Sequence, residues 1–409
     1  MVQPAQPCQG GSKAAASAVV EALRRHLDAC VEQHGLDPTR LHVLRRILSC
    51  RTGALGVHLC VCGECGWKGL APNSCRDRHC PQCQGRQTHA WLEGRLAKML
   101  PVPHFQVVFT LPAELRAVAR ANQKVVYGLL FRVGASILQD LAEQRMQARM
   151  GLTGVLHTWT TQLTYHPHVH FLVTGGVLAM EDKRWVPSRP DYLFPGRILG
   201  TMFRGRFLDH LIEAVQADEV QLPGDDPVAA AKAFRKTVRR LAKRHTRWVV
   251  HVEPPKDRPV EHALKYLTRY VKRVAIADAR IIAVTDTKVA FKSRKGVADL
   301  NGAEFVRRFA LHILPSGFHK VRHYGLYAPA NTHTRLPLAR SLCLADEDEG
   351  ELQGASEAAD PEAADSVQVE RCPACGAAAV FRAYITPKDQ VRLLAELGPP
   401  IAPRSRGSP

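Results

Sequence analysis

The sequence contains no uncharged apolar run of about 18 residues, the length at which a membrane-spanning helix becomes a candidate, so no membrane span is expected. Its first residues, MVQPAQPCQGGSKAAASAVVEAL, lack a basic stretch followed by an apolar one, which argues against a secretory leader. A G-x-x-x-x-G-K-[ST] loop is missing, so no P-loop ATPase or helicase engine is expected. H-E-x-x-H is also missing, which removes the commonly recognised zinc-hydrolase arrangement. There is no internal repeat, hence no solenoid. Acidic residues are scarce: 38 Asp and Glu stand against 56 Lys and Arg, a formal charge of +18. Such a surplus favours a polyanionic partner, most simply nucleic acid. What remains is a soluble, cytoplasmic protein whose 409 residues fit two or three domains. Twelve cysteines in that compartment are expected to be thiols or metal ligands.

Four segments are expected: a helical and cysteine-rich region over 1–100, a mixed region over 101–330, an acidic linker over 331–371, and a short tail over 372–409. Val20, Leu23, Leu27 and Val31 recur at helical spacing, as do Leu41, Leu44 and Leu48. Residues 84–100 and 114–149 read as helices, and 197–245 as basic helix. HFQVVFT (104–110) and Trp248–Glu253 read as strands. Residues 154–174 are too long for one strand and predict a hairpin turning near Tyr165-His166-Pro167. A helix is expected over 259–274, with two short strands over 280–285 and 287–292. From about 343 to 371 the chain is acidic and Ala-rich, the composition of a disordered linker.

Cys62-x-x-Cys65 and Cys80-x-x-Cys83 are separated by fourteen residues. Each C-x-x-C turn can present two thiolates to one ion, and two such turns complete a tetrahedral zinc site. Cys75 is the first candidate for a further ligand, with Cys60, His58 and His79 left over. Lys68, Arg76, Arg78 and Arg86 around the cluster suit phosphates. Cys372-Pro-Ala-Cys375 is half a site, for which Cys343 is a candidate partner. Cys8 and Cys30 read as ordinary thiols.

On a strand, His168 and His170 point the same way while Val169 and Phe171 turn into a core. Two adjacent imidazoles suit one metal ion, although an i, i+2 pair also occurs on polar sheet faces. Tyr266 and Tyr270 lie at i and i+4, so both phenols share a helical face. Lys265, Arg269, Lys272 and Arg273 make that helix basic. A plain amphipathic helix would look the same. Arg307–Tyr324 is a further basic segment suited to a DNA backbone.

His168-Val169-His170 resembles the His-hydrophobic-His signature of HUH endonucleases. The wider chain resembles the two-tyrosine rolling-circle transposases of bacterial insertion sequences that carry an N-terminal zinc-binding domain. The phrases that carry the resemblance are SCRTGALG, NSCRDRHCPQCQG, LPVPHFQVVFTLP, LHTWTTQLTYHPHVHFLVTGG, YLTRYVKRVAIADARI and FVRRFALHILPSGFHKVRHYGL, in order across roughly residues 40–330. The resemblance implies an α+β fold, with an HUH-endonuclease-like antiparallel sheet and flanking helices preceded by a zinc-ribbon-like module. It implies that His168 and His170 hold Mg²⁺ or Mn²⁺, with Gln162 the first choice for a third ligand and His157 and His166 as alternatives. Tyr266 and Tyr270 become the paired nucleophiles, and Cys62, Cys65, Cys75, Cys80 and Cys83 the Zn²⁺ ligands. Lys265, Arg269, Lys272 and Arg273 become DNA contacts. The implied activity is cleavage and rejoining of single-stranded DNA at element ends and target, through a 5′-phosphotyrosine. With no P-loop, strand separation would fall to a host helicase. A relaxase or replication initiator would use the same chemistry. A non-catalytic zinc-dependent DNA-binding protein is the reading from another class.

Overall fold

The computed structural model describes residues 17–83, 92, 94–179, 181, 183–255, 275–348, 372–377, 380–383, 385 and 387–397. The chain divides into two units, each discontinuous in sequence. One comprises Met1–Gln87, Ile276–Ile313 and Ser356–Pro409; the other comprises Thr88–Ala275 and Leu314–Ala355. The sequence reading had set its segments end to end. Instead, residues 276–313 and the tail belong with the N-terminal cysteine-rich region. Both units mix helices with antiparallel sheets.

The second unit is built on a five-stranded antiparallel sheet. Its spatial order is Val321–Gly325, Gly151–Trp159, Tyr165–Thr174, His104–Thr110, Val250–Glu253. The expected hairpin is present, but its turn falls at 160–164, ahead of Tyr165. Thr160 makes the turn: its hydroxyl accepts from the amides of Gln162 at 3.2 Å and Thr164 at 3.3 Å. Leu163 supplies the left-handed residue, at φ 59°. Pro167 lies inside the strand, where the register slips between His157 and Trp159. A proline has no N–H for the ladder, and a bulge is where a strand tolerates one.

One sheet face is apolar. Phe109 and Phe171 meet edge to face at 5.8 Å, and Phe203 joins Phe109 at 5.1 Å. Helices Gln123–Met146 and Gly196–Gln216 cover this face. The first comes unusually close, because a Cβ on Gly134 would stand 2.6 Å from the Phe171 ring, and one on Gly154 of the sheet 2.8 Å from it. The stretch Gln123–Gln144 is long and apolar enough to cross a membrane by composition alone, but 67% of its apolar window is buried inside the unit. The opposite face carries the histidines. Towards its other end, Val155 and Leu172 pack with Leu100, Trp185, Leu326, Tyr327 and Leu336.

In the first unit, helix Ala18–His34 packs on helix Gly302–Ala310. Strands Ile281–Val284 and Lys288–Ser293 match the two expected, and Gly296–Asn301 extends them into a three-stranded sheet. A separate three-stranded sheet has the order Val380–Ala383, Val57–Cys62, Lys68–Pro72. In the second unit, helix Arg335–Asp348 occupies the first part of the segment expected as an acidic linker over 331–371, and residues 349–371 lie outside the described ones. The helix expected over 259–274 also lies outside the described residues.

Candidate metal centres

His157 and His168 are directly opposite across the hairpin, and His170 is opposite Val155 two residues back. Directly opposed residues share a face, so all three imidazoles converge. Their ring centroids are 4.3 to 5.1 Å apart, and one nitrogen from each lies within 4.8 Å of the others. Burial pushes His168 down to about 4 and His170 to about 3, and holds His157 well below the ordinary imidazole value. All three are therefore neutral at pH 7, with a lone pair to offer. The Nδ1–H of His168 donates to the His166 carbonyl at 2.6 Å, which leaves Nε2 bare. The Gln106 amide meets His170 Nδ1 at 2.8 Å. The amide atom that faces Nδ1 is Nε2; turned over, so that Oε1 takes its place, the amide accepts the Nδ1–H and fixes the same tautomer. The set fits a divalent cation, and an all-imidazole set suits Mn²⁺ better than Mg²⁺.

The residues around this centre suit an anion. Lys320 Nζ lies 4.7 Å from the Trp159 ring centroid, and Trp159 stacks on His157. Arg116 donates to His166 Nδ1 at 2.6 Å, which commits His166 to an arginine. On the edge strand, His251 pairs with Val108 and Glu253 with Gln106, so both face the same side as the triad.

Gln162, the first choice for third ligand, sits in the hairpin turn and not on the partner arm. The third imidazole in the described cluster is His157. Its register could not be read because the bulge at Pro167 offsets the two arms. Tyr266, Tyr270, Lys265, Arg269, Lys272 and Arg273 all lie outside the described residues. In the basic 307–324 segment, Arg307 and Arg308 both pair with Glu304. Arg322 lies over the Phe131 and Phe318 rings.

The cysteines correct the sequence reading. Cys62-x-x-Cys65 and Cys80-x-x-Cys83 do not share a site. Cys80 and Cys83 gather with Cys50 and Cys75, while Cys62 and Cys65 gather with Cys372 and Cys375. In the first cluster, Cys83 Sγ lies 3.5 Å from Cys50 Sγ and 3.7 Å from Cys75 Sγ. A tetrahedral ion with Zn–S of about 2.3 Å would separate its thiolates by about 3.8 Å, so the four fit zinc. Cys75 was anticipated and Cys50 was not. The available signal was a repeated phrase, Ser49-Cys50-Arg51 and Ser74-Cys75-Arg76, whose arginines both take positive φ, 59° and 53°. His58 and Cys60 lie on the Val57–Cys62 strand, where His58 bonds Asn73; His79 pairs with Asp77. Cys343 is buried among Leu100, Tyr327 and Ala339 and does not serve Cys372.

Comparison with known proteins agrees with zinc binding in the cysteine-rich region. A family model described as "Putative transposase" matches residues 151–335, and one described as "Transposase zinc-binding domain", of the IS91 type, matches residues 22–111. "Putative transposase y4qJ" of Sinorhizobium fredii is 39% identical over 335 residues, covering 79% of this chain and 83% of the relative. "Transposase for insertion sequence element IS801" of Pseudomonas savastanoi pv. phaseolicola is 26% identical over 307 residues, covering 73% and 72%. No solved structure matches. The chain belongs to the IS91-type family of insertion-sequence transposases.

Proposed function

We propose that this transposase is an HUH-type enzyme that nicks and rejoins single-stranded DNA through a 5′-phosphotyrosine, in rolling-circle transposition. The observation that carries the reading is the convergence of His157, His168 and His170 on one face of an antiparallel sheet, in a chain of this family. A divalent cation held by the three imidazoles would draw charge from the scissile phosphate and offset the charge that develops there. Lys320 and Arg116 add fixed positive charge near the triad. Tyr266 and Tyr270 are the proposed nucleophiles, with Lys265, Arg269, Lys272 and Arg273 favouring the phenolate of a group whose ordinary pKa is about 10.

In the step proposed, the phenolate oxygen bonds to phosphorus, the bond from phosphorus to the 3′ oxygen breaks, and that oxygen leaves and takes up a proton. The phosphodiester bond energy is kept in the tyrosine ester, so a 3′ hydroxyl can later displace the tyrosine without ATP. The second tyrosine would take the second strand. A single strand suits a recessed site, because the phosphate must reach buried imidazoles.

The test is cleavage of end-labelled oligonucleotides bearing the element's ends, single-stranded and duplex, with Mn²⁺ or Mg²⁺. Metal-dependent cutting of the single strand alone supports the proposal. Cutting that survives His168→Ala, or that needs duplex DNA, contradicts it.

A further inference from the structure

The tail knuckle lies outside both matched regions, yet it meets the N-terminal one in space. We propose that Cys62, Cys65, Cys372 and Cys375 form a second zinc site, separate from the Cys50 cluster, which fastens the C-terminal segment to the N-terminal module. This inference does not depend on the nuclease reading.

Three observations carry it. The first is distance: Cys62 Sγ lies 3.7 Å from Cys375 Sγ and Cys65 Sγ 3.6 Å from Cys372 Sγ, close to the spacing of about 3.8 Å around a tetrahedral zinc. The second is that the two turns are copies of each other. The amide of Cys62 donates to Trp67 O at 2.8 Å, and that of Cys372 to Ala377 O at 2.8 Å. The amide of Gly66 donates to Cys62 O at 3.1 Å, and that of Gly376 to Cys372 O at 2.8 Å. Both glycines are left-handed, at φ 70° and 75°, which a residue with a Cβ rarely adopts. Cys-x-x-Cys-Gly is thus one knuckle built twice, each aiming two thiolates at the same point. The third is the sheet. Strand Val380–Ala383 pairs along Val57–Cys62 with Cys62 opposite Val380 and Leu59 opposite Ala383. It makes a three-stranded sheet from a hairpin that alone would be marginal. Four thiolates in this geometry select zinc. Cys65 and Cys372 are 307 positions apart, so the two halves of this site flank the whole strand-transfer region.

The test loads the full chain with Co²⁺ and reads thiolate-to-cobalt charge transfer, to which the imidazole centre contributes nothing. Cys62→Ser with Cys65→Ser should halve the absorption, and so should Cys372→Ser with Cys375→Ser. The quadruple variant should lose no more than either pair. An unchanged signal in the tail pair, or a quadruple loss twice that of a pair, would overturn the proposal. A second measurement uses the unaltered protein loaded with zinc. Cys65 and Cys375 are exposed, so burial cannot shield them from a maleimide. Both should stay unlabelled until a chelator is added and then label together. Immediate labelling of Cys375 while zinc stays bound would overturn the proposal.

Discussion

Gln106→Leu isolates how the imidazole centre is set up. Gln106 is on the strand beside the histidine strand, and its amide meets His170 Nδ1 at 2.8 Å. With the amide turned so that its oxygen accepts the Nδ1–H, the proton stays off Nε2, the nitrogen offered to the metal. Leucine fills similar volume but accepts no bond. The buried Nδ1–H then loses that acceptor, and the tautomer protonated on Nε2 is no longer disfavoured. Loss of an outer-shell partner of this kind typically weakens metal binding about 10- to 100-fold, or about 1.4 to 2.7 kcal/mol. Mn²⁺ titration by calorimetry would read this directly, alongside the metal dependence of oligonucleotide cleavage. The variant should melt near the wild-type temperature, need 10- to 100-fold more Mn²⁺ for half-maximal cleavage, and recover at saturating metal. Gln106→Glu, which can still accept the bond, should retain near-normal affinity. An unchanged Mn²⁺ affinity in a folded Gln106→Leu protein would refute the reasoning.

Three other predictions follow from the same geometry. His157→Ala should abolish Mn²⁺ binding measurable by calorimetry, while Gln162→Ala in the turn should leave it within about twofold; the reverse pattern would make Gln162 the third ligand in place of His157. Gly154→Ala puts a Cβ 2.8 Å from Phe171 and 3.0 Å from Phe131, so it should lower stability by about 1 to 3 kcal/mol in denaturant melts, as overpacking does. His104 is buried, with Nδ1–H donating to Val102 O and Nε2 accepting from Tyr327, and burial pushes it down to about 4 from 6.5. A folded-state value below the unfolded one means that the stabilisation is whole above pH 6.5 and drains as pH falls towards 4. The full loss is about 3 kcal/mol, and His104→Gln should flatten that part of the pH–stability curve.

Much of the site could be read from residue order alone. Alternation in His168-Val169-His170-Phe171 announces a strand with imidazoles on one side and core on the other, and the fold keeps that arrangement. The short strands after residue 280 were legible for the same reason. Relationships between strands were not. Pro167 looks like a turn residue, yet it occupies a bulge, so the hairpin was turned several residues late and His157 lost its place opposite His168. Cysteine partners were assigned by nearness in sequence, which is a poor guide when a strand from the far end of the chain completes the sheet. The glycine after Cys65, repeated after Cys375 and missing after Cys83, was the better signal, because it marks a shared backbone turn. Gln106 carries no motif at all; only the pairing of its strand with the histidine strand gives it a role.

The central claim is tested most directly by trapping the covalent intermediate. Single-stranded oligonucleotides carrying the element's ends, labelled at 5′ or 3′, would be incubated with Mn²⁺, and the protein digested for mass spectrometry. The account predicts that DNA 3′ of the cut remains attached through its 5′ phosphate to the peptide holding Tyr266 or Tyr270. It also predicts that the adduct disappears with both tyrosines changed to Phe and without metal. Cleavage with no attached DNA, or attachment at a residue other than these two, would contradict it.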